Sequence, residues 1–435
     1  MDASPPRAVF CLKSGMHRIQ TVRPKAGQRF YGEPGTVLNG SRIISTFSRK
    51  GPYWVASGPK LPQPGRGYCL KEAPACDRPE MLFIDGKPLS RALQLKQLMP
   101  GHFYFDPATA LVHLADNPDG HLVEAAAALF AFGGDAPDVK ITGIVVEKYA
   151  NPAQRGAIDA TEARGWRIIH CEIRLNGGAG VSVGPAMTIA GCDIHHNGQI
   201  GITGVGDGVR IEENRIRSNN TRGFLRGWEA GGAKISLSDR VTFRANHVQD
   251  NLGPGLWCDG DCRNTIYESN VVEGNQDAGI HHEISYNAII RNNVLRHNGS
   301  GGDGWFWGND ILIAASSGVE VYNNRLTVSP GRCGIMLIDQ GRRDDGLLYR
   351  TRNNSIYSND IRFEGEPCLG GTTDLSPDHE NFRTITDGNN RFDGNTYRVR
   401  QDARTFRFVW GDKEDLDWHG FQSAGQERKG RMVRY

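Results

Sequence analysis

The chain has 435 residues, and its 51 Lys and Arg residues nearly balance its 49 Asp and Glu residues, which leaves a formal net charge of +2. A chain so close to neutral shows no electrostatic footprint for nucleic acid or for an anionic membrane surface. Its 55 glycines and its hydrophobic fraction of 38% argue against a helical bundle and favour strands and turns. No apolar run approaches the roughly 20 residues that a membrane-spanning helix needs, so we expect no membrane partner.

The amino-terminal segment MDASPPRAVF lacks the charged and apolar regions of a signal peptide. The chain nevertheless has nine cysteines, which is many for a cytosolic enzyme. Cys69 and Cys76 flank a short turn and are expected to form a disulfide loop, whereas Cys258 and Cys262 form either a second loop or two separate thiols. The cysteine content favours an exported protein, secreted or periplasmic.

The pattern of the chain predicts four segments. Residues 1–65 contain short strand-like runs, which indicate an amino-terminal cap and the first coils of the repeat described next. Residues 66–125 contain the runs MLFIDGKPL and FYFDPATALVHLADNP and are expected to form an inserted β-rich subdomain. Residues 126–365 carry the repeat, and residues 366–435 form a charged tail without it, which is expected to pack on the repeat and cap its open edge.

The repeat ends in a short polar motif, which occurs as HCEIRLN, GCDIHHN, ENRIRSN, ANHVQDN, SNVVEGN and NNVLRHN. The second residue of each motif, and its continuation further along the chain, is Cys171, Cys192, Asn214, Asn246, Asn270, Asn293, Asn324 and Asn359. The shortest intervals are 21 to 24 residues, and no helical period is visible within them. These features predict an all-β parallel β-helix, a solenoid in which each repeat is one coil and the asparagines stack and hydrogen-bond inside one turn.

Two coils carry long insertions at the same turn. From the ladder residue to the next strand the chain needs 18 residues between Asn214 and Gly232 and 17 between Asn293 and Asp310, against 9 or 10 elsewhere. Insertions at one turn project from one face of a solenoid, commonly the binding face. The strands that begin at Gly255 and Gly279 are therefore expected to form the floor of a cleft.

Side chains alternate along a strand, so each of these strands has an inward and an outward set. The outward set includes Trp257 and Asp259 in one coil and His281 and Glu283 in the next. Neighbouring strands lie about 4.8 Å apart. Two carboxyl groups about 5 to 5.5 Å apart fit a retaining glycosidase, and their mutual repulsion would raise one pKa. The alternative is an ordinary solvated pair of surface acids.

The stretch GLWCDGDCRNTIYESNVVEGNQDAGIHHEIS resembles the catalytic coils of right-handed β-helix glycoside hydrolases, particularly those of the β-xylosidase type, within the pectate-lyase-like superfamily. The segment that ends FYFDPATALVHL is similar to a small β-rich insertion of such enzymes. The resemblance implies a right-handed helix, Asp259 as nucleophile and Glu283 as acid/base.

The neighbouring residues have functional and structural interpretations. Asp261 and Glu229 are the reserve carboxylates, although Asp261 equally suits a turn. His282 points inward and is expected to be a satisfied core histidine or to orient a carboxylate. The residues expected to bind substrate are Trp257, Lys234, His281, His282, Trp228, Trp305, Trp307 and Arg226. Flat indole rings suit sugar stacking, although a loop Trp can instead hold its own loop in place.

The leading interpretation is a secreted glycoside hydrolase that needs neither a cofactor nor a metal. The second is a polysaccharide lyase or uronate epimerase, in which Lys234 or a His abstracts a proton and Ca²⁺ bound by Asp259, Asp261 and Glu283 neutralises the uronate. The third is a β-helix that only binds carbohydrate. In all three, the partner is a carbohydrate.

Overall fold

The structure is a computed structural model that describes residues 4–62, 67–302, 304–344, 346–375 and 379–435. The chain forms two compact units. The first unit comprises Met1–Val183, Cys192–Thr203 and Asn220–Glu229. The second unit comprises Gly184–Gly191, Gly204–Asn219 and Ala230–Tyr435. None of the helices in the described residues is long and apolar enough to cross a membrane.

The first unit consists of coils whose strands belong to three parallel sheets, which we call the first, second and third sheets. Its strands in the first sheet are Val9–Leu12, Arg29–Gly32, Lys140–Thr142 and Arg167–Ile169. Its strands in the second sheet are Gly15–Arg18, Thr36–Asn39, Val145–Glu147, Glu172–Arg174 and Asp193–His195. Its strands in the third sheet are Phe132–Gly133, Gly156–Asp159, Ala179–Val183 and Ile200–Val205.

The first unit also contains two smaller sheets between residues 41 and 126. Their strands are Ser41–Ile43, Ser48–Lys50, Tyr53–Ser57, Leu82–Ile84, Lys87–Pro88, Ser90–Ala92, His102–Asp106, Leu111–Leu114 and Val123–Ala126. Most of the pairs are antiparallel. Three strands that the sequence pattern grouped with the first coils thus lie in these smaller sheets, namely Ser41–Ile43, Ser48–Lys50 and Tyr53–Ser57. Residues 63–66, at the predicted boundary, lie outside the described residues. The short helices of this unit are Leu95–Gln97 and Arg226–Glu229.

The second unit continues the same three-stranded coil. Its strands in the first sheet are Thr188–Ala190, Arg210–Glu212, Thr242–Arg244, Ile266–Glu268, Ile289–Arg291, Glu320–Tyr322, Ser355–Tyr357 and Arg391–Asp393. Its strands in the second sheet are Arg215–Arg217, His247–Gln249, Val271–Glu273, Val294–Arg296, Arg325–Val328, Asp360–Phe363, Thr396–Val399 and Arg431–Arg434. Its strands in the third sheet are Gly231–Ser236, Leu256–Asp259, Ile280–Glu283, Asn309–Ala314, Cys333–Asp339, Cys368–Thr373, Arg407–Trp410 and Lys413–Leu416. A hairpin of Arg343–Asp344 and Leu347–Leu348 and the helices His379–Thr386 and Trp418–Ser423 complete the unit.

The predicted asparagine ladder is confirmed in each unit. In the second unit, the Asn270 side-chain amide donates to the Asn293 side-chain oxygen at 2.9 Å and to the Phe243 carbonyl at 3.0 Å. The same pattern links Asn214 to Asn246 and continues onward to Asn359. In the first unit, the Cys171 amide donates to the Cys192 sulfur at 3.4 Å. A second ladder, not predicted, runs through Asn219, Asn251, Asn275 and Asn298 and ends at Asp310.

The interpretation of residues 366–435 as a tail without the repeat is wrong. The Asn359 side chain donates to Asn395 at 2.9 Å, and Asn395 in turn donates to Glu427 at 2.5 Å. The coils thus continue through this segment, at intervals of 36 and 32 residues, and the ladder ends in a Glu instead of an Asn.

The disulfide predicted between Cys69 and Cys76 is present, and a second one joins Cys333 to Cys368. Cys258 and Cys262 are buried thiols and do not form a disulfide.

The third sheet of the second unit differs from the other two in burial. Three-residue strands such as Ile266–Glu268 and Val271–Glu273 bury only the central side chain, which points into the coil. Ile280–Glu283 and Asn309–Ala314 are instead buried along their whole length. Because alternate side chains of a strand point outward, other segments must cover the outer face of the third sheet.

Candidate functional site

Two acidic residues occupy equivalent outward positions on adjacent coils of the third sheet. In the register of the two strands, Trp257 lies opposite His281 and Cys258 lies opposite His282. Asp259 and Glu283 are the next residues and end their strands. Since adjacent strands are about 4.8 Å apart, the two carboxyl groups face the same side of the sheet one strand spacing apart.

Lys234 connects Asp259 to the aromatic floor of the site. Its ammonium lies 2.7 Å from the Asp259 carboxylate and 3.6 Å from the centre of the Trp257 ring. The Trp257 ring stacks on His281, with 5.0 Å between centroids and 10° between planes. The Lys234 side chain is only 5% exposed, so this ion pair and cation–π contact are largely withdrawn from water.

Glu283 has a raised pKa, of about 7. Burial is the larger cause and the negative charge of Asp259 the next, while Arg342 and Lys234 act in the opposite direction. The sequence predicted a raised pKa from the repulsion between the two carboxylates. The structure corrects this cause, because desolvation of Glu283 outweighs the repulsion.

Three buried polar atoms of the site make no hydrogen bond within the described chain. They are Trp257 Nε1, Asp259 Oδ1 and His281 Nε2. The Trp257 N–H is close enough to lower the pKa of Glu283, but it lacks the alignment of a regular hydrogen bond. His281 Nε2 lies 3.7 Å from Glu283, which is beyond hydrogen-bond distance. These groups are the ones that a polar ligand on this face would satisfy.

The side chains of His281 and His282 point to opposite faces of the sheet, and both imidazoles are neutral at pH 7. Burial lowers the pKa of His281 to about 4, against the smaller opposing effects of Asp277 and Asp259. Burial also lowers the pKa of His282 to about 3. His282 points into the coil, where its Nδ1 lies 3.4 Å from the Tyr267 hydroxyl. As expected from the strand alternation, His281 belongs to the outer face and His282 to the core.

Asp261 is not brought to the Asp259–Glu283 pair. It lies in a turn with a φ of 64°, and its carboxylate is held by Arg263, with the closest N–O distance at 3.1 Å. This arrangement fits the turn interpretation of Asp261 better than a catalytic one.

Glu229, Trp228 and Arg226 lie in the first unit, in the short helix Arg226–Glu229, whereas Asp259 and Glu283 lie in the second. The Glu229 carboxylate lies 3.4 Å from the Thr203 hydroxyl. Trp228 packs edge-on against Tyr68, with 4.7 Å between ring centroids.

Residues 304–308 cover the third sheet next to the acidic pair. Phe306 is fully buried and packs with Leu312 and Met336, which point outward from the following coils. Trp307 is partly buried against the same cluster, whereas Trp305 is 37% exposed. From the sequence, Trp305 and Trp307 were both expected to bind sugar, and Phe306, which anchors the segment, was given no role. Its position between two tryptophans in WFW was the available signal.

Arg342 is a site residue that was not predicted from the sequence. Its guanidinium Nη1 lies 3.6 Å from Glu283 Oε1. It lies 59 residues beyond Glu283 in a segment without a repeat pattern, so neither strand alternation nor motif spacing could place it.

The carboxylates considered as Ca²⁺ ligands in the second interpretation have protein partners. Within the described ranges, no group of three or more His, Cys, Asp or Glu side chains is arranged to hold a metal ion. Asp261 is engaged with Arg263, and Asp259 is paired with Lys234.

A separate cavity of about 280 Å³ lies in the first unit and contains none of the predicted site residues. Its lining residues are Arg23, Phe130, Gly133, Gly134, Asp135, Arg155, Asp159 and Glu162.

Comparison with known proteins supports the fold. Residues 156–326 match the family described as right handed beta helix region, and no curated protein sequence matches the chain. The solved structure of XylC with xylose has a TM-score of 0.64 at 13% identity, covering 94% of this chain and 80% of that one. The A-module of mannuronan C-5 epimerase AlgE6 from Azotobacter vinelandii has a TM-score of 0.55 at 12% identity, covering 98% and 91%. The chain is thus similar to both in fold, and it is a right-handed parallel β-helix protein.

Proposed function

We propose that the protein is a glycoside hydrolase that retains anomeric configuration, with Asp259 as nucleophile and Glu283 as acid/base. One observation carries the proposal: the two acids occupy equivalent positions on adjacent strands but differ in charge. Asp259 is the carboxylate of an ion pair with Lys234, whereas Glu283 has a pKa of about 7 and is largely protonated at mildly acidic pH. A double displacement needs this combination.

In the first step, the Glu283 carboxyl group donates its proton to the glycosidic oxygen while Asp259 attacks the anomeric carbon. The bond to the leaving alcohol breaks, and an ester forms between Asp259 and the sugar. In the second step, the Glu283 carboxylate takes a proton from water, and the oxygen of that water displaces Asp259 from the anomeric carbon. Two inversions give net retention, and both carboxyl groups return to their starting states.

The remaining residues support sugar binding. The exposed Trp305 offers a flat surface for the C–H groups of a sugar ring, whereas the Trp257–His281 stack is buried beneath Lys234. The Trp257 N–H and the His281 imidazole supply hydrogen-bonding atoms for hydroxyl groups. The two similar folds, XylC solved with xylose and a mannuronan epimerase, favour a carbohydrate as the substrate.

Export from the cytoplasm is part of the proposal. The disulfides Cys69–Cys76 and Cys333–Cys368 favour an oxidising compartment, since structural disulfides are rare in the cytosol.

One observation favours a lyase or epimerase as the second candidate. His281 is neutral at pH 7, so its imidazole could accept a proton from the carbon next to a uronate carboxyl group. Lys234 is a weaker candidate for this base, because its amino group is engaged with the Asp259 carboxylate. An ultraviolet-absorbing unsaturated product would indicate elimination, epimerised uronate would indicate epimerisation, and binding without turnover would indicate a carbohydrate-binding protein.

The test is chemical rescue on a panel of 4-nitrophenyl α- and β-glycosides. Asp259→Ala should abolish turnover, and azide should restore it and give the glycosyl azide of inverted configuration. Glu283→Ala should keep the first step for substrates with good leaving groups but slow the second, which azide should accelerate with retention. General acid–base catalysis contributes typically about 10²- to 10⁴-fold, so the losses should be large.

Asp261→Ala is the matched control, because Asp261 is bound to Arg263 and should be dispensable. Full activity of Asp259→Ala, or inverted product from the wild type, would refute the assignment.

A further inference from the structure

The position of Arg342 suggests a role beyond the two acids. Its guanidinium lies 3.6 Å from Glu283, and its side chain is 51% exposed, whereas that of Glu283 is 11% exposed. Among the described residues, Glu283 is the only carboxylate within 4.0 Å of Arg342. The Arg342 side chain thus borders the acid on one side and solvent on the other.

The backbone of Arg342 is fixed although its side chain is exposed. The Tyr349 amide donates to the Arg342 carbonyl at 2.9 Å, across the hairpin that follows Arg342. Tyr349 is 3% exposed and packs with Ile284, the residue next to Glu283, and with Ala315. This contact holds the hairpin against the coil that carries Glu283.

The base of the hairpin is closed by Asp339. The Asp339 carboxylate accepts from the Thr351 amide at 2.8 Å and pairs with Arg350 at 3.1 Å. Asp339 is fully buried, and its ion-pair partner is Arg350 and not Arg342. The hairpin thus places Arg342 at the site, whereas Arg350, which follows the hairpin, forms an ion pair with Asp339.

The charge balance around Arg342 depends on the protonation state of Glu283. In the proposed reaction, Glu283 begins as the neutral acid, and no other carboxylate of the described residues lies within 4.0 Å of the Arg342 guanidinium. Asp374 is a nearby acid, since the charge of Arg342 opposes the rise that burial gives the pKa of Asp374, but the two described side chains do not form an ion pair. Asp259 is already paired with Lys234. A half-exposed guanidinium without an ion-pair partner, at the edge of a buried site, attracts an anionic group of a ligand. Its planar fork of N–H donors matches a carboxylate.

We propose that Arg342 binds an anionic substituent of the substrate and that the enzyme acts on an acidic saccharide, with a uronate carboxylate as the expected group. This inference rests on the proposed function for the identity of the reaction. A sugar sulfate offers the same charge through different geometry, and the binding experiment separates the two.

The kinetic test compares matched pairs of 4-nitrophenyl glycosides, glucuronide with glucoside and galacturonide with galactoside, in both anomeric forms. The wild type should have a higher kcat/KM for the uronoside of a pair. Arg342→Ala should lower the ratio of uronoside to neutral kcat/KM by about 10- to 100-fold, the range expected for charge-assisted hydrogen bonds. Arg342→Lys keeps the charge but not the fork and should lie between the two. Arg343→Ala, on the exposed neighbour in the same hairpin, should leave the ratio unchanged.

An equal loss for both substrates in Arg342→Ala would show that Arg342 only adjusts Glu283, and it would overturn the inference. A wild type without preference for the uronoside would also overturn it.

Calorimetric titration keeps the test independent of turnover. Glucuronate, galacturonate and glucose 6-sulfate are titrated into the wild type and Arg342→Ala, with glucose and galactose as neutral references. Binding of the uronates that is lost in Arg342→Ala supports the anion site even if no glycoside is hydrolysed, in which case the hydrolase proposal alone fails. If glucose 6-sulfate binds as tightly as the uronates, the ligand class includes sulfated as well as carboxylated sugars. No uronate binding, or binding that Arg342→Ala leaves intact, overturns the inference.

Discussion

The two acids of the site differ because their surroundings differ, not because of their place in the repeat. Asp259 and Glu283 end equivalent strands, but Lys234 lies against Asp259, whereas burial dominates the environment of Glu283. Removing a carboxyl group from water disfavours its charged form, and an adjacent ammonium favours it. Equivalent strand positions therefore place the two acids in different electrostatic surroundings.

The raised pKa of Glu283 predicts the pH dependence of catalysis. Glu283 must be protonated for the first step, so kcat/KM should fall as the pH rises through about 7. The measurement is a pH profile of kcat/KM on a substrate whose leaving group needs the acid. In Glu283→Gln, assayed on a 2,4-dinitrophenyl glycoside whose departure needs no protonation, this alkaline limb should be absent. A limb that persists near pH 7 in the variant would assign it to another group.

Side chains on the regular strands could be predicted from the sequence, and those outside them could not. Strand alternation was sufficient to put Trp257 and His281 on the outer face and His282 inside. Asp261 lies just beyond the end of its strand, where the turn and its contact with Arg263 decide its direction. Arg342 reaches the site through a hairpin whose docking depends on tertiary packing by Tyr349.

Across neighbouring coils, hydrogen-bonded ladders connect the turns. Each ladder asparagine donates to the next coil and to a backbone carbonyl, and accepts from the coil before it. A buried amide in this setting is satisfied on both sides, which explains why a polar residue recurs in an otherwise apolar interior. The ladder was predicted as far as Asn359, and its continuation to Asn395 was missed although the interval of 36 residues is close to the 35 residues between Asn324 and Asn359.

Replacing one ladder residue should measure this contribution. Asn270→Ala would remove the side-chain donor of the Phe243 carbonyl and the acceptor of both Asn246 amide groups, whereas the Asn293 oxygen would keep the Asn270 backbone N–H as its donor. Unsatisfied buried groups cost about 1 to 3 kcal/mol each, and we expect a total destabilisation of about 2 to 5 kcal/mol after local relaxation. The midpoint of denaturant unfolding reports it.

Asn270→Cys is the matched variant, since Cys171 and Cys192 occupy the equivalent place in other coils. It should lose less stability than Asn270→Ala. Equal stability of the wild type and Asn270→Ala would show that the ladder does not contribute.

The two tryptophans beside the site should respond differently to replacement. Both were predicted to bind sugar from a loop, but Trp307 packs against the cluster around Phe306, whereas Trp305 is exposed. Trp305→Ala should weaken substrate binding, seen as a raised KM, with an unchanged melting temperature. Trp307→Ala should lower the melting temperature as well, because it removes packed surface. The prediction fails if Trp305→Ala leaves KM unchanged for the true substrate, or if both variants melt like the wild type.

Over the chain as a whole, the period of the repeat predicted the architecture because every coil obeys the same geometry. The bounds of the inserted segment were less accessible, since Tyr53–Ser57 pairs not only with the neighbouring strand Ser48–Lys50 but also with Leu111–Leu114, more than 50 residues later in the sequence. Such pairings depend on contacts between distant segments, and the local pattern of a short strand is the same whether it joins a coil or a hairpin.

The cover over the third sheet has a consequence for how a long substrate would be consumed. One coil past Glu283, the outward residues Leu312 and Ala314 are buried with Phe306, and the next coil is covered in the same way. A polysaccharide cannot continue along the sheet in that direction, so the site has a closed end. An enzyme that cleaves there should trim its substrate from one terminus.

With an oligosaccharide series of the sugar that the glycoside panel identifies, early products should be single terminal units and a chain shortened by one. Fragments of mixed length at low conversion would contradict this. The packing of Phe306 would then determine that the substrate is degraded from one terminus, independently of the two acids that break the bond.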